Sequence, residues 1–331
     1  MISSLHDTSY SGFGYAKALI FGEYAVMHGA PGLVTALTPK IRVVLNHIRP
    51  VDHHEPKEVN AIDIPSLEDQ LKKFLRIPLC DDDPILDADI DVDMSDFFDI
   101  SGGKLGIGSS AASIVALIQA KLQIRHSLHL PPLTKEDIIQ KAIQFHRMAQ
   151  NQMGSGIDVI ACTIGGLSLV SNCPAQPEIT HIHPKCIPPF VVLATHQQAP
   201  TISYISAAKK VENTKSYQTV IQSLTDIYIQ LNHHIITNNH SEFLCLLDQI
   251  VSQLKTLSTI IEMPIIPDVF YKLYPIAQNN HVILKTSGAG GGDIFIAFSQ
   301  NKQYILDFIK EIPTDSGITV LPFDIAPIRY E

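Results

Sequence analysis

The stretch SGGKLGIGSSAASIVALIQAKL, residues 101–122, decides the reading of this chain. Gly102, Gly103, Gly106 and Gly108 lead into Ser109 and Ser110, and Ile114, Leu117, Ile118 and Leu122 follow at helical spacing. The pattern predicts a flexible loop feeding a helix N-terminus. Glycine permits positive φ and close backbone approach, and the serines are expected to cap the first turn. The unpaired N–H groups and the positive end of the helix dipole then face whatever the loop wraps, and phosphate is the natural occupant. Lys104 adds a point charge at the mouth.

Three readings compete for the loop. A Walker A loop requires G-x-x-x-x-G-K-[ST], which no stretch of the chain fits. Gly106-x-Gly108-x-x-Ala111 matches the dinucleotide fingerprint, but that fingerprint follows an apolar strand, and here Ser101-Gly102-Gly103-Lys104 stands in front. An ordinary capped turn would not need so many glycines and serines before an apolar helix.

The third reading is a resemblance. KLGIGSSAA is similar to the second motif of the GHMP kinases, P-x-x-x-G-L-G-S-S-A-A, with Ile107 for Leu and no leading Pro. The resemblance implies that Lys104, Gly106, Ile107, Gly108, Ser109, Ser110 and Ala111 hold ATP, with Ser110 on Mg²⁺. YAKALIFGEYAVMHG, residues 15–29, resembles the first motif of that family: Lys17, Gly22, Glu23, Ala25, Val26 and Gly29 fall in step, while Tyr15-Ala16 replaces Pro-Gly. The family places this lysine beside the reacting hydroxyl; read alone, Lys17 would be an edge or surface lysine. Glu23 is expected as a solvated turn residue without a catalytic role. KTSGAGGGD, residues 285–293, resembles the third motif, and implies that Gly288, Ala289, Gly290 and Gly291 close over the nucleotide while Asp293 orients the loop.

FHRMAQNQMGSGIDV, residues 145–159, separates branches of the family. It is similar to the A-H-x-x-A-Q-G-x-x-G-S-G-F-D-V signature of phosphomevalonate kinases, where mevalonate kinases read G-E-x-x-x-H-G-x-P-S-G-x-D-N. Eleven positions before Asp158, where the latter carry a magnesium-binding Glu, stands Arg147. A guanidinium cannot bind Mg²⁺ but can clamp a phosphate through two parallel hydrogen bonds. Ser155 and Gly156 would join Lys17, Arg147 and Asp158 on the acceptor. Asp158, beside a Gly-Ser-Gly loop at the start of a helix, is placed either to favour the helix N-terminus or to do acid/base work.

Working outward, residues 10–21, 33–37 and 41–48 read as strands, and Ala88, Ile90 and Val92 alternate with Asp87, Asp89, Asp91 and Asp93 as a strand with an acidic solvent face. Thr134-x-x-Asp137 opens a helix that runs to about Asn151. His53-His54 and Asp81-Asp82-Asp83 match no ligand spacing and read as a solvated insertion. The Pro- and His-rich tract from Cys173 to Pro189 is read as the domain link, with His181 and His183 solvated. Beyond it come a strand at 190–195, a helix capped by Thr201, helices over 213–236 and 241–258, a shorter one ending near Ala277, and a strand, glycine loop and strand.

The chain has 331 residues, 45% of them hydrophobic and 17% charged, which fits an ordered protein of one large domain or two. A net charge of −9 argues against a general nucleic-acid binder, so an anionic substrate must be met by local donors. Five scattered cysteines without C-x-x-C spacing suit free thiols in a reducing cytosol. The N-terminal residues show no apolar signal region and no run reaches membrane-spanning length, so a cytoplasmic protein without a membrane partner is expected.

The ordered motifs imply an α+β fold of two domains. An N-terminal domain over 1–186, like ribosomal protein S5 domain 2, binds ATP, and a ferredoxin-like C-terminal domain follows over 187–331. The activity implied is transfer of phosphate from Mg·ATP to 5-phosphomevalonate, with Lys17 and Asp158 as catalytic residues; mevalonate kinase or another GHMP small-molecule kinase is the alternative. The expected partners are ATP and the small phosphate acceptor, in a monomer or homodimer.

Overall fold

The computed structural model describes residues 8–51, 66–151, 153–173 and 175–330. His53 and His54 lie outside the described residues. The N-terminal domain is a mixed layer of sheet and helix. Its strands are β1 (Tyr10–Phe21), β2 (Gly32–Pro50), β3 (Leu86–Asp93), β4 (Leu167–Ser171) and β5 (Glu178–Ile182). Long β2 is the spine: β1 pairs antiparallel along one edge, and β3 and β4 share the other, with β5 beyond β4. Two strands were expected at 33–37 and 41–48; they are one strand, with a register shift opposite Tyr15/Ala16 that accommodates Thr38 and Pro39. On β3, Leu86, Ala88 and Ile90 are buried while the aspartates face outward, Asp87 pairing with Arg49 at 2.8 Å.

The helices of this domain are α1 (Leu67–Leu75), α2 (Ser109–Ser127), α3 (Lys135–Ala149) and α4 (Ile157–Ile164). α2 is buried on nearly every face and lies hard against β1. Gly12 and Gly14 make that approach possible: a Cβ there would come within 2.2 Å of the Ala116 carbonyl and 2.1 Å of the Ala112 carbonyl. The acidic run at 81–83 is solvated at Asp81 and Asp82, as expected, but not at Asp83. Arg125 of α2, itself buried, pairs with Asp82 at 3.0 Å and with Asp83, whose side chain is 4% exposed, while Lys121 donates to the Leu75 carbonyl at 3.0 Å and closes the end of α1.

The C-terminal domain runs β6 (Phe190–Ala194), α5 (Thr201–Val211), α6 (Lys215–Ile236), α7 (His240–Ile260), α8 (Asp268–Asn279), β7 (Ile283–Thr286), β8 (Ile294–Phe298), α9 (Lys302–Glu311) and β9 (Thr319–Leu321). Its sheet is antiparallel in the order β7-β8-β6-β9, so the strand–helix–strand–strand–helix–strand succession is ferredoxin-like with extra helices in the first crossover.

Both the tract expected as a link and residues 324–326 join the N-terminal domain. The tract read as a link contributes β5 to the N-terminal sheet, and His181 bonds Ser168 across that edge at 3.1 Å rather than standing in solvent. The chain end also returns to the first domain: Thr38 donates to the Asp324 carbonyl and Ala326 to the Ala36 carbonyl, each at 3.0 Å. All five cysteines are free thiols, as expected, and no described helix is long and apolar enough to cross a membrane.

Candidate active site

The glycine loop meets α2 at Gly108, whose φ of 89° places it in the left-handed region as the N-cap. Serine capping was expected, but neither Ser109 nor any other described side chain caps this helix. The first-turn amides are therefore left for a ligand, the arrangement that favours an anion. Lys104, Gly106, Gly108, Ser109, Ser110 and Ala111 line one cleft of about 250 Å³. The Ile107 side chain is buried in the core instead, and its carbonyl accepts from the Lys17 backbone N–H at 3.0 Å. That bond ties the loop to β1.

The Lys17 side chain passes directly over Gly108 and ends 3.1 Å from Asp158 Oδ1. Burial by itself would depress the lysine pKa, but the Asp158 carboxylate, with Asp293 behind it, more than reverses this and holds it above the ordinary 10.5. Asp158 is delivered by α4, whose N-cap Gly156 has φ 82° and which again carries no side-chain cap among the described residues. The Gly-Ser-Gly run thus sets a second open helix start beside the first.

The third loop reaches the cleft from the other domain. Gly106 and Asp293 touch so closely that a Cβ on Gly106 would sit 2.8 Å from the Asp293 Cα. Asp293 lines the cleft, and burial pushes its carboxyl above the usual aspartate range, with Lys17 and Lys104 pulling against it. Ser287 Oγ accepts from Leu19 N–H and donates to the Leu19 carbonyl, each at 3.0 Å, completing the free edge of β1. Gly290 and Gly291 pack against Ile265 and Tyr204. Gly288 and Ala289 line a second, smaller cavity of about 70 Å³, which also takes in Ser155 and Gly156.

The cleft and this small cavity share one wall made of His146, Gln150, Asp158 and Thr201. Arg147 lines neither; α3 turns its neighbours His146 and Gln150 inward, one helical turn apart. Thr201 is the first residue of α5 rather than its cap; Pro200 holds the cap position, and no described side chain caps that helix either. His146 was overlooked as a site residue, although it stands in the quoted signature with Gln150 at the i+4 position. It is buried to 4% exposure, and desolvation, assisted by Lys17 and opposed by Asp158, pulls its pKa down to about 4.

Below the small cavity lies a buried ion pair that joins the domains. Glu23, expected in solvent, is 1% exposed and bonds Lys285, which is wholly buried. Tyr228 Oη donates to Glu23 Oε2 at 3.3 Å, and Tyr24 Oη to the Ala289 carbonyl at 2.7 Å. Among the described residues no group of three or more His, Cys, Asp or Glu could hold a metal ion by itself. The cleft does present the Ser110 hydroxyl with the Asp158 and Asp293 carboxylates. That is an oxygen donor set of the kind that completes Mg²⁺ brought in on phosphates.

Residues 100–166 match the family model described as GHMP kinases N terminal domain. None of the curated proteins matches the sequence. Among solved structures, a Lin0012 protein from Listeria innocua superposes with a TM-score of 0.79 at 21% identity, covering 97% of this chain and 99% of that one. Streptococcus pneumoniae phosphomevalonate kinase, in complex with phosphomevalonate and AMPPNP, gives 0.67 at 17%, covering 95% and 99%. L. major mevalonate kinase in complex with R-mevalonate gives 0.65 at 17%, covering 97% of each. At these identities the likeness is one of fold. Residues 100–166 thus resemble the N-terminal domain of GHMP kinases, and the whole chain shares the two-domain fold of these structures.

Proposed function

We propose that the protein transfers the γ-phosphoryl group of Mg·ATP to the phosphate of 5-phosphomevalonate, giving 5-diphosphomevalonate. The observation that carries this reading is the Lys17–Asp158 pair, 3.1 Å apart, at the junction of a phosphate-type cleft and a smaller, largely apolar cavity. The nucleotide phosphates lie on the open amides of α2 and beside Lys104. The acceptor's carbon chain enters the small cavity, past Leu19, Val26, Met27 and Ile157. Its phosphate then arrives at Lys17, which draws two anions together.

The acceptor oxygen is already anionic at neutral pH, so a strong base is not needed, and positioning with charge neutralisation dominates. Asp158 orients Lys17. Bound Mg²⁺, held by Ser110 with Asp158 or Asp293, would neutralise phosphate charge. The complexed Streptococcus pneumoniae enzyme, which shares the fold, supports this substrate pair. One observation favours the alternative, mevalonate kinase or another GHMP small-molecule kinase: a carboxylate touching the lysine is also where a base for an alcohol would stand.

The test is ADP release with Mg·ATP over mevalonate and 5-phosphomevalonate, with and without chelation of magnesium. Turnover of 5-phosphomevalonate alone is expected, lost on chelation. Turnover of mevalonate alone would sink the assignment.

A further inference from the structure

His196 and Asp293 both hold left-handed backbones, with φ of 56° and 51°. Neither is a glycine, so the strain must be compensated by what surrounds them, and such residues gather where geometry serves function. Here they belong to one unit. Thr195 N–H donates to the Asp293 carbonyl at 2.8 Å, and Asp293 N–H donates to the Gln197 carbonyl at 2.6 Å. Between those two bonds the chain turns at His196, and its ring reaches across to the N-terminal domain.

What the ring meets is the turn that delivers Lys104. Asp99 Oδ1 accepts from Ser101 N–H at 2.8 Å, Ser101 Oγ at 2.7 Å and Gly103 N–H at 2.7 Å. Asp99 N–H donates to the Gly103 carbonyl at 2.8 Å, and Phe98 and Lys104 pair as in an antiparallel ladder. Oδ1 is thus committed to the turn. Oδ2 stands 3.3 Å from His196 Nδ1, in ion-pair range but off hydrogen-bond alignment. The Ser101 hydroxyl and the Gly103 N–H hold the Asp99 carboxyl below its ordinary range, so it faces the ring as an anion. A carboxylate has no proton to give, so attraction needs the proton on Nδ1, and Nε2 is left for the Thr319 hydroxyl of β9, 2.8 Å away. Gly103 lies against both groups: a Cβ there would sit 2.9 Å from Asp99 Oδ2 and 3.0 Å from His196 Nδ1. Two residues beyond Lys104, Gly106 touches Asp293. One unit of the C-terminal domain therefore grips the phosphate loop on either side of Lys104.

We infer that His196 is a positioning residue for the nucleotide: paired with Asp99, it holds the 99–104 turn against residues 195–197 and so sets the Lys104 ammonium on the polyphosphate of ATP. It touches no reacting atom, and its effect falls on the nucleotide rather than the acceptor. The inference rests on the reading of this cleft as a nucleotide site and not on the choice of acceptor.

Affinity for Mg·AMPPNP is measured by calorimetry on wild type, His196→Gly, Asp99→Asn, Lys104→Met and the combined His196→Gly and Lys104→Met protein. Glycine at 196 accepts the positive φ without strain and removes the ring, so a role confined to the backbone would give no loss. Asparagine at 99 keeps a carbonyl oxygen for the turn and removes the charge that faces the ring. Each single variant should weaken Mg·AMPPNP about tenfold, the lower end of what one hydrogen bond to a charged group contributes, with KM for 5-phosphomevalonate within about twofold of wild type. The combined protein should bind no worse than Lys104→Met, since His196 acts through Lys104. Unchanged affinity in His196→Gly, or losses that multiply to about a hundredfold in the combined protein, overturns the proposal and leaves the nucleotide site standing. Wild type that does not bind Mg·AMPPNP removes the site and the proposal together. Should His196→Gly fail to fold, Asp99→Asn and its combination with Lys104→Met decide by the same two outcomes.

Discussion

The Lys17 side chain lies across the face of Gly108, so closely that a Cβ on the glycine would sit 2.8 Å from both Cγ and Cε of the lysine. The contact involves the stem of the side chain, which cannot swing aside without moving the ammonium. Gly108→Ala should therefore cut kcat by about 100-fold, the usual effect of a displacement near 1 Å at a reacting centre. Gly29 supplies the control: its φ of 88° matches the 89° of Gly108, but nothing lies within 4 Å of its missing Cβ. Gly29→Ala carries the same backbone strain without the contact and should leave kcat close to wild type. Equal losses in the two variants would mean that strain, not lysine placement, is being read.

Lys17 and Asp158 can be separated by a double substitution. Lys17→Met and Asp158→Asn should each lower kcat by at least about 100-fold, as removal of one charged group from a preorganised site does. If Asp158 acts only by orienting Lys17, the double variant is no worse than Lys17→Met. A further multiplicative loss would make Asp158 a base in its own right and favour an alcohol acceptor. The pH profile gives a second reading. Asp158 holds the Lys17 pKa above 10.5, so wild type has no alkaline limb from this lysine below that pH. In Asp158→Asn, burial acts with less opposition, the lysine loses its proton sooner, and an alkaline limb should move in toward neutrality.

How much of this site could be read beforehand depended on whether a residue's role is local. The glycine loops declare themselves because positive φ at Gly106, Gly108, Gly156 and Gly290 is a demand on the backbone that the residue type alone expresses. Lys17 was legible from its offset within its own motif. The wall shared by the two cavities was not, since α3 has polar residues on adjacent positions and only packing decides that His146 and Gln150, rather than Arg147, face inward. The caps failed for a related reason: Ser109, Ser110 and Thr201 suit cap positions, yet the cap positions fall on Gly108 and Pro200, and the first-turn amides stay open. Short edge strands escaped as well. β5 sits in a tract of Pro and His and buries little, and β9 is only 3 residues long. The Glu23–Lys285 pair, 262 positions apart in the chain, leaves no local pattern at all.

Breaking that pair from one side should strongly weaken the docking of the two domains. Both side chains are fully shielded from water. Glu23→Gln leaves the Lys285 ammonium buried without its counter-charge, and burial already pulls that lysine's pKa below the ordinary value. A loss of about 3–5 kcal/mol is expected. Lys285→Met should cost comparably by stranding the carboxylate. The combined Glu23→Gln and Lys285→Met protein should be more stable than either single variant, because no unpaired ion remains. Thermal unfolding of the four proteins checks this, and strictly additive losses would show that the two groups do not depend on each other.

His146 also makes stability depend on pH, with a sign that can be worked out. In the folded chain its pKa is depressed from 6.5 to about 4, so between these values the unfolded chain binds a proton that the native chain refuses. Stability contributed by the neutral ring is complete above pH 6.5 and is lost as pH falls toward about 4. The interval corresponds to about 3 kcal/mol over the whole window. The unfolding midpoint of wild type should therefore fall as pH is lowered from 7 to 5, and His146→Leu, which has no ring to protonate, should fall less steeply over the same range. Parallel slopes for the two proteins would place the proton uptake elsewhere and remove the basis for a neutral imidazole in the site.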